Sequence, residues 1–229
     1  MAKSKSENLS SRLNWLRAGV LGANDGIIST AGIVFGVAGA TANSFVIMVS
    51  GLASLVAGAL SMAGGEYVSV SSQRDTELSA SKQKREEFQR DPKARRKALV
   101  QSYISKGIPP KIAEEVVQHY SDAAVEEHDL ESLGIDVERP VSPWTAAFAS
   151  LISFTCGSII PLLVMTLTPV AYRLTATVAA VVVALFITGY LSSRFAKVPW
   201  VKPVIRNVLV GFLTMNVTYL VGSMVQGLA

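Results

Sequence analysis

Asp25 and Glu66 are carboxylates set inside apolar stretches, and of the seventeen acidic residues in the chain they alone are so placed. A carboxylate at the centre of a bilayer costs roughly 2.5–3.5 kcal/mol on insertion scales. Such residues face a bundle interior or a water-filled path, where they handle ions or protons. Met62 stands four residues before Glu66, so on a helix the thioether and the carboxylate share one face. Carboxylates alone suit Mg²⁺, Ca²⁺ and Mn²⁺, and a thioether adds the softness that fits a transition metal. The pattern points to a carrier or channel for Fe²⁺, with Mn²⁺, Co²⁺ and Zn²⁺ as further candidates. Each residue also has a plainer reading. Met62 could serve as a packing or lipid-facing side chain, and Glu66 as an interfacial carboxylate or an ion-pair partner of Arg17.

The elements that must hold these groups are apolar helices. Half of the 229 residues are hydrophobic, and five stretches are long enough to cross a hydrocarbon core of about 30 Å. They are Leu16–Gly39, Ser44–Ser69, Trp144–Leu167, Val170–Ser192 and Pro203–Gly227. The expected fold is an all-α integral membrane protein, with a three-helix cytoplasmic insert between the second and third spans. Its parts are 1–72, carrying the N-terminal segment and spans one and two; 73–140, the insert; and 141–229, carrying spans three to five. The connection Ala40–Asn43 is short enough to force an antiparallel hairpin. Laid side by side, its helices would put Asp25 level with Gly58, which would leave room for a passing ion. Met62 and Glu66 would then lie successively nearer the cytoplasm. Nothing breaks the helix from Ser44 through Arg74, and about 30 residues make about 45 Å, so it should project beyond the membrane. Ala53, Ala57, Ser61 and Gly65 form a small-residue seam on it, and Gly32 and Gly36 form a smaller one on the first helix. Such seams serve packing within one chain or between two copies.

The charges set an expected topology. Four Lys or Arg precede the first apolar core, twelve lie in 71–143, and four (Arg194, Lys197, Lys202, Arg206) flank the connection between spans four and five. Only Arg173 falls on the other side. By the positive-inside rule the N-terminus and the insert are cytoplasmic and the C-terminus is outside. Partitioning of this kind argues against nucleic acid as partner. The first span is longer than a signal-peptide core and is interrupted by Asn24-Asp25-Gly26, so it reads as a retained helix. Cys156 is the single cysteine. It excludes an intrachain disulfide or a cysteine metal cluster and reads as a small apolar filler. Pro169 and Pro203 read as helix starts and Pro161 as a kink. Asn207 and Asn216 read as interhelical hydrogen-bonding groups. Both histidines lie in the insert, so there is no intramembrane Ser–His pair, and HExxH and glycine-rich phosphate loops are absent. The chain does not read as an enzyme and calls for no cofactor.

In the insert, Asp91-Pro92 separates a first helical stretch from a second, Gly107-Ile108-Pro109-Pro110 ends the second, and Lys111–Leu133 reads as a third. Fourteen acids and twelve bases nearly balance, with the acids crowded on the third helix. Glu115 and His119 are spaced i, i+4, as are Glu127 and Glu131, while His128 and Glu131 are i, i+3. Glu115, His119, Glu126, His128 and Glu131 could compose a mixed nitrogen and oxygen metal site. A charged, solvated helix face produces the same spacings.

Asn24-Asp25-Gly26-Ile27, followed by Leu60-Ser61-Met62-Ala63-Gly64-Gly65-Glu66-Tyr67-Val68-Ser69 and closing with Glu131-Ser132-Leu133-Gly134-Ile135, resembles the vacuolar iron transporter family over nearly the whole chain. The resemblance implies a homodimer that moves Fe²⁺, and often Mn²⁺, out of the cytosol in exchange for protons. It implies that Asp25 and Met62 line the path with Glu66 at its mouth, and that carboxylates of the insert collect metal. The expected host is the plasma membrane. The chain departs from acid-rich members in the first insert helix, where Lys82 and Gln89 replace expected acids and only Glu86 and Glu87 remain. His128 and Asp129 stand where some members carry a methionine pair. Exchange is physically simple, because a proton and a divalent cation compete for one carboxylate. The rival reading is a membrane-anchored metal sensor or scaffold, which leaves Asp25 and Glu66 without a role.

Overall fold

The computed structural model describes residues 3–122, 124–125 and 142–228, with side chains from Ala18 onward apart from those at 84 and 88. In chain order its helices are α1 (Lys3–Ala40), α2 (Ser44–Arg90), α3 (Pro92–Ser105), α4 (Pro110–Gln118), α5 (Pro143–Leu167), α6 (Arg173–Ala196) and α7 (Val201–Gln226). Five of them (α1, α2, α5, α6 and α7) contain stretches long and apolar enough to cross a membrane. The chain divides into two compact units, Met1–Val68 with Pro143–Ala229, and Ser69–Ser142.

In the first unit α1 is the central helix, packed on α5 and α7 and more lightly on α6. Glycine makes both main contacts. Towards the start of the span, a Cβ on Gly26 would lie 2.2 Å from the Phe154 carbonyl oxygen, and one on Gly157 would lie 2.2 Å from the Ala23 carbonyl oxygen. Towards its end, a Cβ on Gly39 would meet the Tyr219 carbonyl oxygen at 2.4 Å, and one on Gly222 the Gly36 carbonyl oxygen at 1.8 Å. Helices in lipid gain little from burying apolar surface against each other, so this close backbone approach is what holds α1. Ile27, Ala31 and Val34 of α1 complete the core with Met165, Leu185 and Met215.

The second helix is held differently. It makes no comparable backbone approach to α1, so the expected hairpin is antiparallel but its two helices are not closely packed. It is held by side chains, with Ile47 set into the core, Val34 of α1 at Gly51, and three partners on α5: Leu162 at Gly51, the Phe154 ring at Gly58, and Trp144 against Tyr67 with ring centroids 4.8 Å apart. The three α5 pairs step in opposite directions along the two helices, so α2 runs antiparallel to α5. The Arg173 guanidinium, buried at the start of α6, donates to the Ala42 carbonyl oxygen (3.2 Å) and lies 3.5 Å from Ser44 Oγ. It ties down the connection between α1 and α2.

Several sequence expectations shift locally. The fourth span begins at Arg173 rather than Val170, because Tyr172 and Arg173 donate backbone N–H groups to the Pro169 carbonyl in a turn. Pro169 therefore stands before that turn, not in the helix. Pro161 lies inside α5 without ending it. Asn216 spends its amide on the Phe212 carbonyl of its own helix (2.7 Å), not on a neighbour. Cys156 is exposed rather than packed as filler.

In the second unit Asp91 caps α3, accepting from the Ala94 N–H at 3.0 Å. Gly107, at φ 91°, takes the left-handed turn that follows α3. The expected third helix does not run unbroken from Lys111, since α4 stops at Gln118. Arg96 supplies the reason. Its guanidinium takes the carbonyls of Val117 (2.9 Å) and Tyr120 (3.0 Å) and pairs with Asp122 at 2.6 Å. Ser121 Oγ then accepts from the Ala124 N–H at 3.2 Å, starting a new turn. Leu99, Val117 and Val125 form the small core.

Candidate functional site

Registers against α5 fix the heights of the path residues. Gly22 meets Ser150 and Phe154, and Gly26 meets Phe154 and Ser158, so α1 runs parallel to α5 while α2 runs antiparallel. Asp25 is thereby level with Ala57, beside the Gly58 expected from the hairpin. Met62 lies about 8 Å, and Glu66 about 14 Å, further toward the end that carries Trp144.

The direction in which each side chain points is another matter. Val34 meets α2 at Gly51, and it follows Asp25 by nine residues, about two and a half turns. Asp25 therefore points away from α2. It is exposed, and Ser29 Oγ donates to its Oδ1 at 3.0 Å. Met62 and Glu66 are half-buried, on the face of α2 turned toward α5. One chain does not close Asp25, Met62 and Glu66 into a ladder. Nor is the space at Gly58 open to an ion, because the Phe154 ring fills it: a Cβ there would lie 2.3 Å from the ring's Cζ. Among the described residues no three His, Cys, Asp or Glu side chains converge on one point.

The two small-residue seams separate cleanly. Gly32 and Gly36 are occupied within the chain, by Thr214 and Thr218. The α2 seam is open, with Ala53, Ala57, Ser61 and Gly65 exposed and nothing within 4 Å of a Cβ on Gly65.

The insert candidates fare unevenly. Glu127, His128 and Glu131, with Glu126, lie outside the described residues. Glu87 pairs with Arg95 and accepts from Gln83 Nε2 at 3.3 Å, while Glu86 is exposed. His119 Nδ1 lies 2.8 Å from the Glu115 carbonyl oxygen. A carbonyl only accepts, so Nδ1 is the donor and Nε2 is the ring nitrogen turned outward. Both side chains are exposed, beside Ile112, Val116 and Tyr120 in a shallow depression.

Two hydrogen-bonding neighbours of Asn24 and Asp25 escaped the sequence reading. Ser29 was visible as an i+4 hydroxyl to Asp25. Thr188, whose Oγ1 lies 3.4 Å from Asn24 Oδ1, is 164 residues away and left no local signal.

Known proteins resemble this chain along almost all of its length. A model of the VIT family matches residues 16–223. Vacuolar iron transporter homolog 3 of Arabidopsis thaliana is 35% identical over 225 residues, covering 96% of this chain and 89% of its own. The vacuolar iron transporter of Acanthamoeba castellanii is 36% identical over 219 residues, 93% of this chain and 80% of its own. VIT-like transporter 1b of Glycine max is 30% identical over 209 residues, 91% of this chain and 75% of its own.

Proposed function

The chain belongs to the VIT family, and from that premise we propose that it exports Fe²⁺ from the cytosol in exchange for protons, with Mn²⁺ as a second cargo. The observation that carries this reading is Asp25. Its carboxylate is mounted part-way along an apolar helix, is exposed, and has a serine hydroxyl rather than a basic residue beside it. A bare carboxylate in that setting takes a proton or a cation, and the two compete for the same oxygens. Met62 and Glu66 serve the same path at successive heights, the thioether favouring a transition metal over Mg²⁺ or Ca²⁺.

A path completed by two copies is part of the proposal. Asp25 faces away from its own α2, and the seam of small residues on α2 is unfilled, so a homodimer gives each a partner. Glu115 and His119 offer a carboxylate and a free imidazole nitrogen at which the insert could first take up metal. We place the protein in the plasma membrane with its N-terminus and insert on the cytosolic side.

The test is Fe²⁺ uptake into proteoliposomes with an acidic lumen. Wild-type uptake should require the proton gradient and should fail in Asp25→Ala and in Met62→Ala. Wild-type protein that is folded and correctly oriented yet moves no metal would replace this reading with a membrane-anchored sensor.

A further inference from the structure

The connection between α6 and α7 carries Arg194, Lys197, Lys202 and Arg206, all exposed. No Asp or Glu occurs anywhere from residue 139 to the end of the chain. Among the described residues none of the four takes part in an ion pair. A need for correct topology explains cations at this end of the helices. It does not explain how they are arranged.

Three observations bear on the arrangement. A Cβ on Gly189 would lie 2.9 Å from Val204 Cα, so the backbones of α6 and α7 meet closely near the connection, and the basic residues of both helices are gathered at one corner. Lys197 sits at φ 54°, the left-handed region, and is the only non-glycine described residue to do so. Helices often end in that conformation, but on glycine, which adopts it without steric cost. Keeping a lysine there maintains a cation at the corner at the expense of backbone strain, a pattern associated with function. Beside it, Phe186, Tyr190 and Trp200 form an aromatic group, with Trp200 edge-on to Phe186 at 6.0 Å and to Tyr190 at 6.4 Å. Tyr and Trp prefer the depth of the lipid headgroups, where one side of the ring is apolar and its polar atom is wet.

We propose that this corner binds an anionic phospholipid of the leaflet on that side. The four cations supply the counter-charge to the headgroup phosphate, and the aromatic group seats the glycerol and the upper acyl chains. A zwitterionic lipid brings its own ammonium, which the same four cations repel. The inference does not depend on which ion the protein carries, or on whether it carries one.

Native mass spectrometry of the full chain in detergent, with phosphatidylglycerol and phosphatidylcholine at equal mole fraction, tests it. The wild type should retain phosphatidylglycerol under collisional activation that strips phosphatidylcholine, and should lose it as salt rises. Lys197→Gln with Lys202→Gln should weaken phosphatidylglycerol binding about thirtyfold, from about fivefold per cation near an anionic surface. Lys93→Gln with Lys97→Gln, which removes the same charge from the insert, should leave binding unchanged. Lys197→Gly guards against a folding artefact, since glycine relieves the left-handed strain. That variant should melt no lower than the wild type, yet bind phosphatidylglycerol about fivefold more weakly. Equal retention of both lipids by the wild type would overturn the proposal, as would equal losses in the two double variants or unchanged binding by Lys197→Gly.

Discussion

The two helices that carry the proposed path residues are held by opposite means. Of the apolar stretch of α1, 44% is buried, and its glycines let α5 and α7 approach backbone to backbone; that of α2 is 17% buried and is held through side chains. Asp25 thus rides on a helix that cannot shift without parting two main-chain contacts. Met62 and Glu66 ride on one joined to the rest by side chains, its own Ile47 in the core and Val34, Leu162, the Phe154 ring and Trp144 against it. Interdigitated backbones have only one fit, whereas side chains can change rotamer and let a helix tilt or rotate. The difference assigns α1 the part of fixed post and α2 that of the element free to respond.

The contrast can be broken most severely at Gly222. A valine there would collide with the Gly36 backbone, which cannot yield as a side chain can. Gly222→Val should cost about 3 kcal/mol or more, seen as loss of monodisperse protein in detergent. If it melts like the wild type, α1 is not clamped as described. Next is Asp25→Asn. Removing an exposed charge should change stability by no more than about 0.5 kcal/mol. Metal flux should nevertheless fall more than about 100-fold, beyond the loss typical of an outer-shell partner. Stability and flux falling together would mean that Asp25 is structural.

Gly58→Ala probes how α2 is seated. The added methyl meets only the Phe154 ring, so the cost should be about 1–3 kcal/mol. Adding Phe154→Leu should recover part of it, a coupling that a thermal double-mutant cycle measures. Additive losses would place the ring elsewhere. Ser29→Ala should weaken apparent metal affinity about tenfold while leaving the melt unchanged, as expected for a group that orients a ligand carboxylate. Ser29→Thr should restore it, and a failure of rescue would deny the hydroxyl that role. The smallest effect belongs to Gly65→Ala on the open face, which should stabilise the helix by at most about 1 kcal/mol. If it instead abolishes a dimer peak in size-exclusion chromatography, the seam is an interface.

The sequence made some of this legible and hid the rest for identifiable reasons. The five spans could be read because about 20 apolar residues are needed to cross a bilayer, whatever the neighbours. The height of Asp25 against α2 came within about one residue, since a three-residue connection leaves little slack. The direction of Asp25 was not legible. It depends on which partners take the glycine face of α1, and those partners, Phe154 to Ser158 and Thr218 to Gly222, lie more than 120 residues away. A separation of 96 residues likewise hid the Phe154 ring in the notch at Gly58, which sequence alone read as empty space. The break after Gln118 was equally invisible, because the guanidinium that ends the helix belongs to Arg96 on α3.

Cys156 has a use that follows from where α5 places it. It is the only thiol in the chain, it is exposed, and its neighbour Gly157 is the residue pressed against Ala23, two positions before Asp25. A probe attached to this sulfur needs no background cysteines removed and sits at the depth of the carboxylate. Reaction with a water-soluble maleimide, or the polarity sensed by a nitroxide label, would report whether water reaches that depth. Followed while metal and proton gradients are switched, the native chain becomes its own hydration gauge.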